Sequence, residues 1–133
     1  MRYLILALIG LTIFICSCKK TNSDFKLTQG TYVGTFQRLT SSGGQISDVT
    51  ITFSANKWTG QSQFSKYPAL CQGTYKVNNA DNISFENACP WTAEFDWSLI
   101  LSQDYQIRNV AHAIEISRDY NGAYKDIYRL TKQ

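Results

Sequence analysis

The chain has 133 residues, of which 44% are hydrophobic and 17% charged, and it carries a net charge of +3. This length supports one domain, and this apolar content excludes a disordered chain. Apart from Lys19-Lys20 the basic residues are scattered, so the sequence lacks the clustered basic face that nucleic-acid binding requires.

The N-terminus combines a basic start with an apolar run. Met1-Arg2 precedes the uncharged segment 3–16, YLILALIGLTIFIC. As a helix this segment would span about 21 Å, which is short against a hydrocarbon core of about 30 Å. The pattern is typical of a secretory signal peptide, with a transmembrane anchor as the alternative.

The segment Ile15-Cys16-Ser17-Cys18 resembles a bacterial lipobox, and the CSCKK ending is similar to lipoproteins of the Bacteroidetes type. The resemblance implies a signal peptide of residues 1–17 and lipidation of Cys18. One acyl chain anchors a protein only marginally, whereas a multiply acylated cysteine, carrying fatty acids such as palmitate, anchors it stably. We expect a protein held to the outer membrane of the cell envelope, on its periplasmic face.

Residues 18–29 are predicted to be a lipidated tether, since the stretch after Cys18 (KKTNSDFKLTQ) is polar with little periodicity. Residues 30–133 form the predicted domain. Short alternating segments separated by Gly, Asn, Ser and Asp recur there about every ten residues. Residues 32–36 form the first strand, and 41–44 (SSGG) turn the chain.

Residues 49–53 alternate cleanly and precede a predicted tight loop at Ala55-Asn56. That loop places Phe53 opposite Trp58 and Ile51 opposite Gly60.

Two cysteines, Cys71 and Cys89, remain after Cys16 and Cys18 are assigned to the leader and the lipid. The chain between them folds naturally as a hairpin around the turn-forming segment 78–82. In that register three pairs share one face: Val77 with Ile83, Tyr75 with Phe85, and Cys71 with Cys89. Opposed residues of this kind have Cα atoms about 4.5 Å apart, within reach of a disulfide. A metal or redox pair is the alternative, but the spacing is not CxxC and no second ligand cluster exists.

The remaining segments continue the strand pattern. Residues 95–101 are predicted to form a strand with Phe95, Trp97, Leu99 and Leu101 on one face. Residues 105–107 and 114–116 form the next hairpin. Asn121-Gly122 is a strong turn signal before a last strand at 126–132. Pairing Ile116 with Tyr128 and Ile114 with Leu130 matches the apolar positions.

Eight or nine short strands joined by sequential hairpins, without helical periodicity, predict an all-β fold. A meander of this length would leave two exposed edges, and closing it into a barrel removes them. We therefore expect a small antiparallel up-and-down β-barrel of about eight strands with one disulfide, and a β-sandwich is the alternative.

Three stretches, ITFSANKWTGQS, CQGTYKVNNADNISFENACPW and the closing YRLTK, are similar to small lipocalin-like lipoprotein domains of Bacteroidetes. The resemblance covers residues 30–133 and implies a lipocalin-like barrel. A weaker likeness is to META-type domains, in which a glycine-tyrosine strand precedes an element like Ala88-Cys89-Pro90. The pattern is generic, so no family site residues are transferred.

The sequence contains little evidence for a catalytic site. His112 is the single histidine, and no nucleophile motif such as G-x-S-x-G accompanies it. Glu94 and Asp96 would share one face of the predicted strand, and a solvated outer face is the simpler interpretation. We expect no enzyme activity, no catalytic residue, no metal and no cofactor.

The aromatic residues suggest binding. An eight-stranded barrel is either filled by side chains or holds one small ligand. The leading hypothesis is a small apolar or amphipathic ligand bound by Trp58, Tyr75, Phe85 and Trp97, in a shallow pocket at one barrel mouth. Such a pocket requires that Gly34, Gly60 and Gly73 leave space on one side.

The alternative is an envelope protein-interaction module, similar to small barrels that inhibit lysozyme, with a filled interior and a functional loop. The segment 64–70 could cap one mouth.

Overall fold

The computed structural model describes residues 26–133, so the predicted signal peptide, Cys18 and most of the predicted tether lie outside the described residues. Eight strands follow one another: β1 (Gly30–Leu39), β2 (Ile46–Ser54), β3 (Lys57–Ser62), β4 (Gln72–Asn79), β5 (Asn82–Asn87), β6 (Gln103–Val110), β7 (Ala113–Asp119) and β8 (Lys125–Lys132). Each pairs antiparallel with the next, and β8 pairs with β1 to close the barrel. The up-and-down barrel is confirmed.

The β2–β3 hairpin has the predicted register. Phe53 lies opposite Trp58 and Ile51 opposite Gly60, across a two-residue connection at Ala55-Asn56. Ala55 has φ 55°, the left-handed conformation that so short a reversal requires. Alternation then places Ile51, Phe53 and Trp58 in the interior, where each is at most 1% exposed.

The cysteine hairpin is also confirmed. Val77 pairs with Ile83 and Tyr75 with Phe85, and a disulfide joins Cys71 to Cys89. The two cysteine Cα atoms are 6.4 Å apart rather than about 4.5 Å. The reason is that both cysteines lie just beyond the ends of β4 and β5, where regular pairing has ended.

Removing this disulfide is expected to lower the free energy of unfolding by roughly 2–5 kcal/mol, because it closes an 18-residue separation in a small domain. Denaturant unfolding of a Cys71→Ser/Cys89→Ser variant measures the loss.

Thiol counting on the denatured, unreduced domain without Cys18 should find no free thiol. Two reactive thiols would show that the bond does not form.

The last three strands pair as the sequence predicts. Ile107 lies opposite Ile116 in β6–β7, and Ile116 opposite Tyr128 in β7–β8. The turn at Asn121-Gly122 has positive φ at both residues, as glycine and asparagine tolerate best.

The predicted strand at residues 95–101 is wrong. Residues 97–99 form instead a short 3₁₀ helix (Trp97–Leu99) within the long connection between β5 and β6. The Asp96 side chain accepts hydrogen bonds from the Ser98 amide (2.9 Å) and hydroxyl (2.6 Å). Such local bonds compete with strand pairing. Leu101 still reaches the core, but Trp97 is 56% exposed.

Aromatic rings fill the barrel interior in a chain of edge contacts. Phe85 lies at the middle, with ring centroids 6.0 Å from Trp58, 5.7 Å from Tyr105 and 6.4 Å from Phe53. The chain continues from Tyr105 to Tyr128 (6.2 Å). Aliphatic side chains complete the core between these rings: Val49, Ile51, Ile83, Leu101, Ile107, Ile114, Ile116 and Leu130.

The barrel has two unlike ends. At the hairpin end, the chain turns at 55–56, 80–81 and 111–112, and both the start of β1 and the end of β8 lie there. At the loop end, the connections are 40–45, 63–71, 88–102 and 120–124. The loop end therefore carries most of the irregular chain.

Residues just before β1 cover the hairpin end. Leu27 packs against the core, and the Tyr32 hydroxyl donates to the Thr28 carbonyl (2.8 Å). Lys132 reaches Thr28 as well, at 3.2 Å. The last described part of the predicted tether is thus packed onto the domain.

Candidate functional site

Two long connections close the loop end by binding to each other. The Ala69 amide donates to the Leu99 carbonyl (3.0 Å) and the Leu101 amide donates to the Ala69 carbonyl (3.3 Å). Tyr67 from the same segment packs its ring 5.2 Å from that of Phe36. The segment 64–70 therefore caps this mouth, together with residues of the β5–β6 connection.

An arginine is built into the interior beneath this cap. Arg38, the inward residue near the end of β1, donates from Nε and one terminal nitrogen to both oxygens of Asp126, each at 2.7 Å. Its other terminal nitrogen donates to Asp96 at 2.7 Å. The guanidinium also lies 4.2 Å from the ring centroid of Tyr124. Asp126 is 1% exposed, so its charge depends on Arg38 for compensation.

The pKa shifts in this cluster follow from these contacts. Burial alone would lower the pKa of Arg38, but the hydrogen bond and charge of Asp126 outweigh it and raise that pKa. Hydrogen bonds from Ser98, and the charge of Arg38, hold the pKa of Asp96 below its usual value against the opposing effect of burial. These directions keep Arg38 protonated and Asp96 ionised at neutral pH, so the cluster is a structural ion-pair network.

Two interior tyrosines have strongly perturbed phenols. Burial raises the pKa of Tyr105 and of Tyr128 well above the ordinary value near 10. Their rings line the middle of the barrel, 1–2% exposed. The ionised form of either phenol is therefore disfavoured in the folded state.

The domain should accordingly lose stability in alkali. Above about pH 10 the unfolded chain releases these phenolic protons while the folded chain keeps them. Each tyrosine's contribution to the free energy of unfolding is fully present below that pH. Above it, the contribution falls by up to about 1.4 kcal/mol per pH unit. Denaturant unfolding between about pH 9 and pH 11 measures the slope. A Tyr105→Phe variant should show a shallower slope, and an unchanged one would contradict this origin.

The four residues predicted to bind a ligand do not meet in one site. Trp58 and Phe85 are inside the barrel, 1% and 2% exposed, and the Trp58 indole donates to the Glu86 carbonyl at 3.2 Å. Tyr75 is half-buried and stacks edge-on against Phe53 at 4.9 Å. Trp97 lies outside the barrel, on the β5–β6 connection.

A side chain at either of two of these glycines would meet groups that are already there. A Cβ at Gly73 would lie 1.7 Å from the Glu86 carbonyl and 2.9 Å from the Trp58 indole nitrogen, and one at Gly60 would lie 3.2 Å from Leu70. Neighbouring groups already occupy the space. A cleft of about 270 Å³ does lie beside Trp58 and Gly73. Outward residues such as Lys57 and Gln72 also line it, and Tyr75 does not.

Exposed apolar side chains concentrate at the loop end. Leu39, Ile46 and Phe64 are 41%, 56% and 38% exposed, and we call them the apolar rim. They are neighbours: Gln37 pairs with Ile46, and the Phe64 amide lies 3.5 Å from the Ser47 hydroxyl. Trp97 lies at the same end. Val110 is exposed at the hairpin end.

The polar residues considered as catalytic candidates lie in the connections between strands. His112 is exposed in the β6–β7 turn. Glu94 and Asp96 are on the irregular connection rather than one strand face, because that strand does not form. Glu94 faces Lys66 at 3.9 Å, and Asp96 pairs with Arg38. Among residues 26–133, no group of three His, Cys, Asp or Glu side chains could hold a metal ion.

Sequence reasoning missed the buried Arg38–Asp126 pair. Two signals were available: alternation along β1 puts Arg38 on the same face as Phe36, and alternation along β8 puts Asp126 on the face of Tyr128. A charge on an apolar face indicates a buried partner of opposite charge.

Comparison of the chain with protein-family models, curated proteins and solved structures finds no match. Within residues 26–133, no helix is long and apolar enough to span a membrane. The function has to be inferred from the geometry of the domain itself.

Proposed function

We propose that this chain is a non-enzymatic lipoprotein of the cell envelope that binds a partner protein through its loop end. The filled barrel interior carries the proposal. Packed aromatic side chains occupy the space in which a lipocalin-like barrel would hold an apolar ligand, so the binding surface lies outside the barrel. This favours the protein-interaction module over the small-ligand hypothesis.

The apolar rim is the surface best suited to a protein partner. Leu39 ends β1, Ile46 begins β2 and Phe64 follows β3 at the same end of the barrel. Groups of exposed apolar side chains mark interaction sites. The disulfide and the bonds between Ala69 and the β5–β6 connection fix the segment that carries Phe64, while Leu39 and Ile46 belong to paired strands. A rigid surface loses little conformational entropy on binding.

The point at which the chain enters the barrel also favours the apolar rim as the binding surface. The chain enters the barrel at the hairpin end, where Leu27 and Thr28 are packed. An anchor at Cys18 would hold that end toward the membrane, and the loop end would face away from it. The rim is therefore presented to other proteins of the envelope.

Site-specific photo-crosslinking tests the proposal in cells that produce the full chain. A photoreactive residue at Phe64 should give one adduct of defined mass, and the same residue at Val110, on the opposite end, should give none. With the partner then purified, Ile46→Ser should weaken binding at least tenfold relative to Lys76→Ser, an exposed change on β4. Equal adducts from both positions would refute the assignment.

A second arm examines the small-ligand alternative. The purified domain is titrated with a hydrophobic dye, alongside Trp58→Ala. Absence of saturable binding agrees with the proposal. Saturable binding by the unaltered domain that Trp58→Ala abolishes would overturn it in favour of an apolar ligand.

The lipid anchor has its own test. Labelled fatty acid should be incorporated into the full chain and into Cys16→Ser, but not into Cys18→Ser. Unchanged labelling of Cys18→Ser would show that the lipobox assignment is wrong.

A further inference from the structure

One arginine of the domain, Arg118, lacks the carboxylate partner that the other described arginines have. Among residues 26–133, Arg38 pairs with Asp96 and Asp126, while Arg108 and Arg129 both pair with Glu115. Arg118 has no carboxylate within 4.0 Å in the same part of the chain. Its cross-strand neighbour is Asp126, whose two oxygens are already taken by Arg38.

Neutral groups hold the Arg118 guanidinium in place. One terminal nitrogen donates to the Gln103 side-chain oxygen at 2.6 Å, and the other donates weakly to the Ser102 carbonyl at 3.4 Å. The guanidinium carbon lies 4.8 Å from the centroid of the Tyr120 ring and 5.9 Å from that of Tyr105. Two of its five N–H groups are used in the described structure, and three remain for an acceptor.

This guanidinium opens onto a cleft of about 330 Å³ at the loop end. Trp97 and Ile100 contribute its apolar lining, and Ser98, Ser102 and Tyr120 contribute polar atoms. Arg118 is the one charged residue among those that line it. Trp97 is 56% exposed, yet its indole nitrogen donates to the Thr92 carbonyl at 2.9 Å, which fixes the ring.

We propose that this cleft is a binding site for a small organic carboxylate that carries a flat apolar group. A carboxylate can accept two parallel hydrogen bonds from the planar guanidinium, and its single negative charge matches the single positive charge of the lining. The apolar group lies against the Trp97 ring. The cleft volume is at the lower end of the range for ligand pockets, which suits a ligand of this size.

Two sources present the same chemistry: a free aromatic acid, and the C-terminal carboxylate of a peptide. The site uses other residues than the apolar rim and does not depend on the proposed protein partner. Failure of crosslinking at Phe64 would therefore leave the cleft unaffected, and failure of the cleft would leave the rim unaffected.

Titration of the isotope-labelled domain by nuclear magnetic resonance tests the site directly. Benzoate represents the free acid and N-acetylphenylalanine the peptide terminus, each compared with its neutral amide. The expected result is a saturable shift of the Arg118 Nε–H and Trp97 Nε1–H signals with at least one acid. The matching amide should bind at least tenfold more weakly, and the acid that binds tighter identifies the source.

Variants complete the test. Arg118→Gln should abolish the shifts at Trp97, while Arg108→Gln, an arginine change on the outer face, should preserve them. If Arg118→Gln fails to fold, Trp97→Ala replaces it, because an exposed side chain can be removed safely; it should weaken acid binding severalfold. Equal binding of acid and amide, an absence of saturable shifts with both acids, or unaltered affinity in the variants would overturn the proposal.

Discussion

Replacing Phe85 with alanine is expected to lower the free energy of unfolding by about 3–5 kcal/mol. Phe85 is 2% exposed and its ring contacts three others, those of Phe53, Trp58 and Tyr105. The truncation removes buried apolar surface and leaves a cavity that neighbours in strand positions cannot collapse into. Denaturant unfolding of the purified domain gives the value.

Phe64→Ala is the matched control, since it makes the same chemical change at a 38% exposed site on a loop. Its expected cost is below about 0.5 kcal/mol. Equal losses in the two variants would mean that Phe85 is not at the centre of a packed interior. A barrel without a packed interior would no longer favour a protein partner over a small ligand.

The second large effect is expected from Asp126→Asn, at about 3–5 kcal/mol. The substitution keeps the shape of the side chain but leaves Arg38 buried with one carboxylate, that of Asp96, whose side chain is 55% exposed. An arginine that loses its buried partner retains most of its desolvation cost. The same unfolding measurement applies.

Two comparisons separate charge pairing from other causes. Asp48→Asn, on the exposed face of β2, should cost less than about 0.5 kcal/mol. A double variant, Arg38→Met with Asp126→Leu, should regain much of the loss, because an apolar pair needs no compensation. If the double variant is as unstable as Asp126→Asn, the loss comes from packing rather than from the unpaired charge.

The barrel could be predicted from sequence because local rules decide most of it. Period-two alternation and short turns fix the pairing of Phe53 with Trp58, of Tyr75 with Phe85 and of Ile116 with Tyr128, and a register error of one residue would expose each apolar set. Closure follows from the need to pair the two edges. The hairpin pairings depend on neighbours in the chain, whereas closure joins β1 to β8.

The loop end could not be predicted in the same way. Alternation at 95–101 resembled a strand, but Asp96 satisfies backbone and side-chain groups of Ser98 locally and starts a 3₁₀ helix. Alternation marks Arg38 and Asp126 as inward charges, but the two residues are 88 positions apart and meet only because β8 pairs with β1. Trp97 lies apart from Trp58, Tyr75 and Phe85 because its predicted position depended on that strand.

Closure by β1 and β8 also sets an order of events when the chain is made. β1 is synthesised first, yet its partner β8 occupies Lys125–Lys132, at the opposite end of the described chain. Until β8 has been synthesised and is free to pair, β1 and β7 each present an unpaired edge that can recruit other chains. Completion of the domain therefore waits for β8, and a chain that lacked Lys125–Lys132 would keep an open sheet.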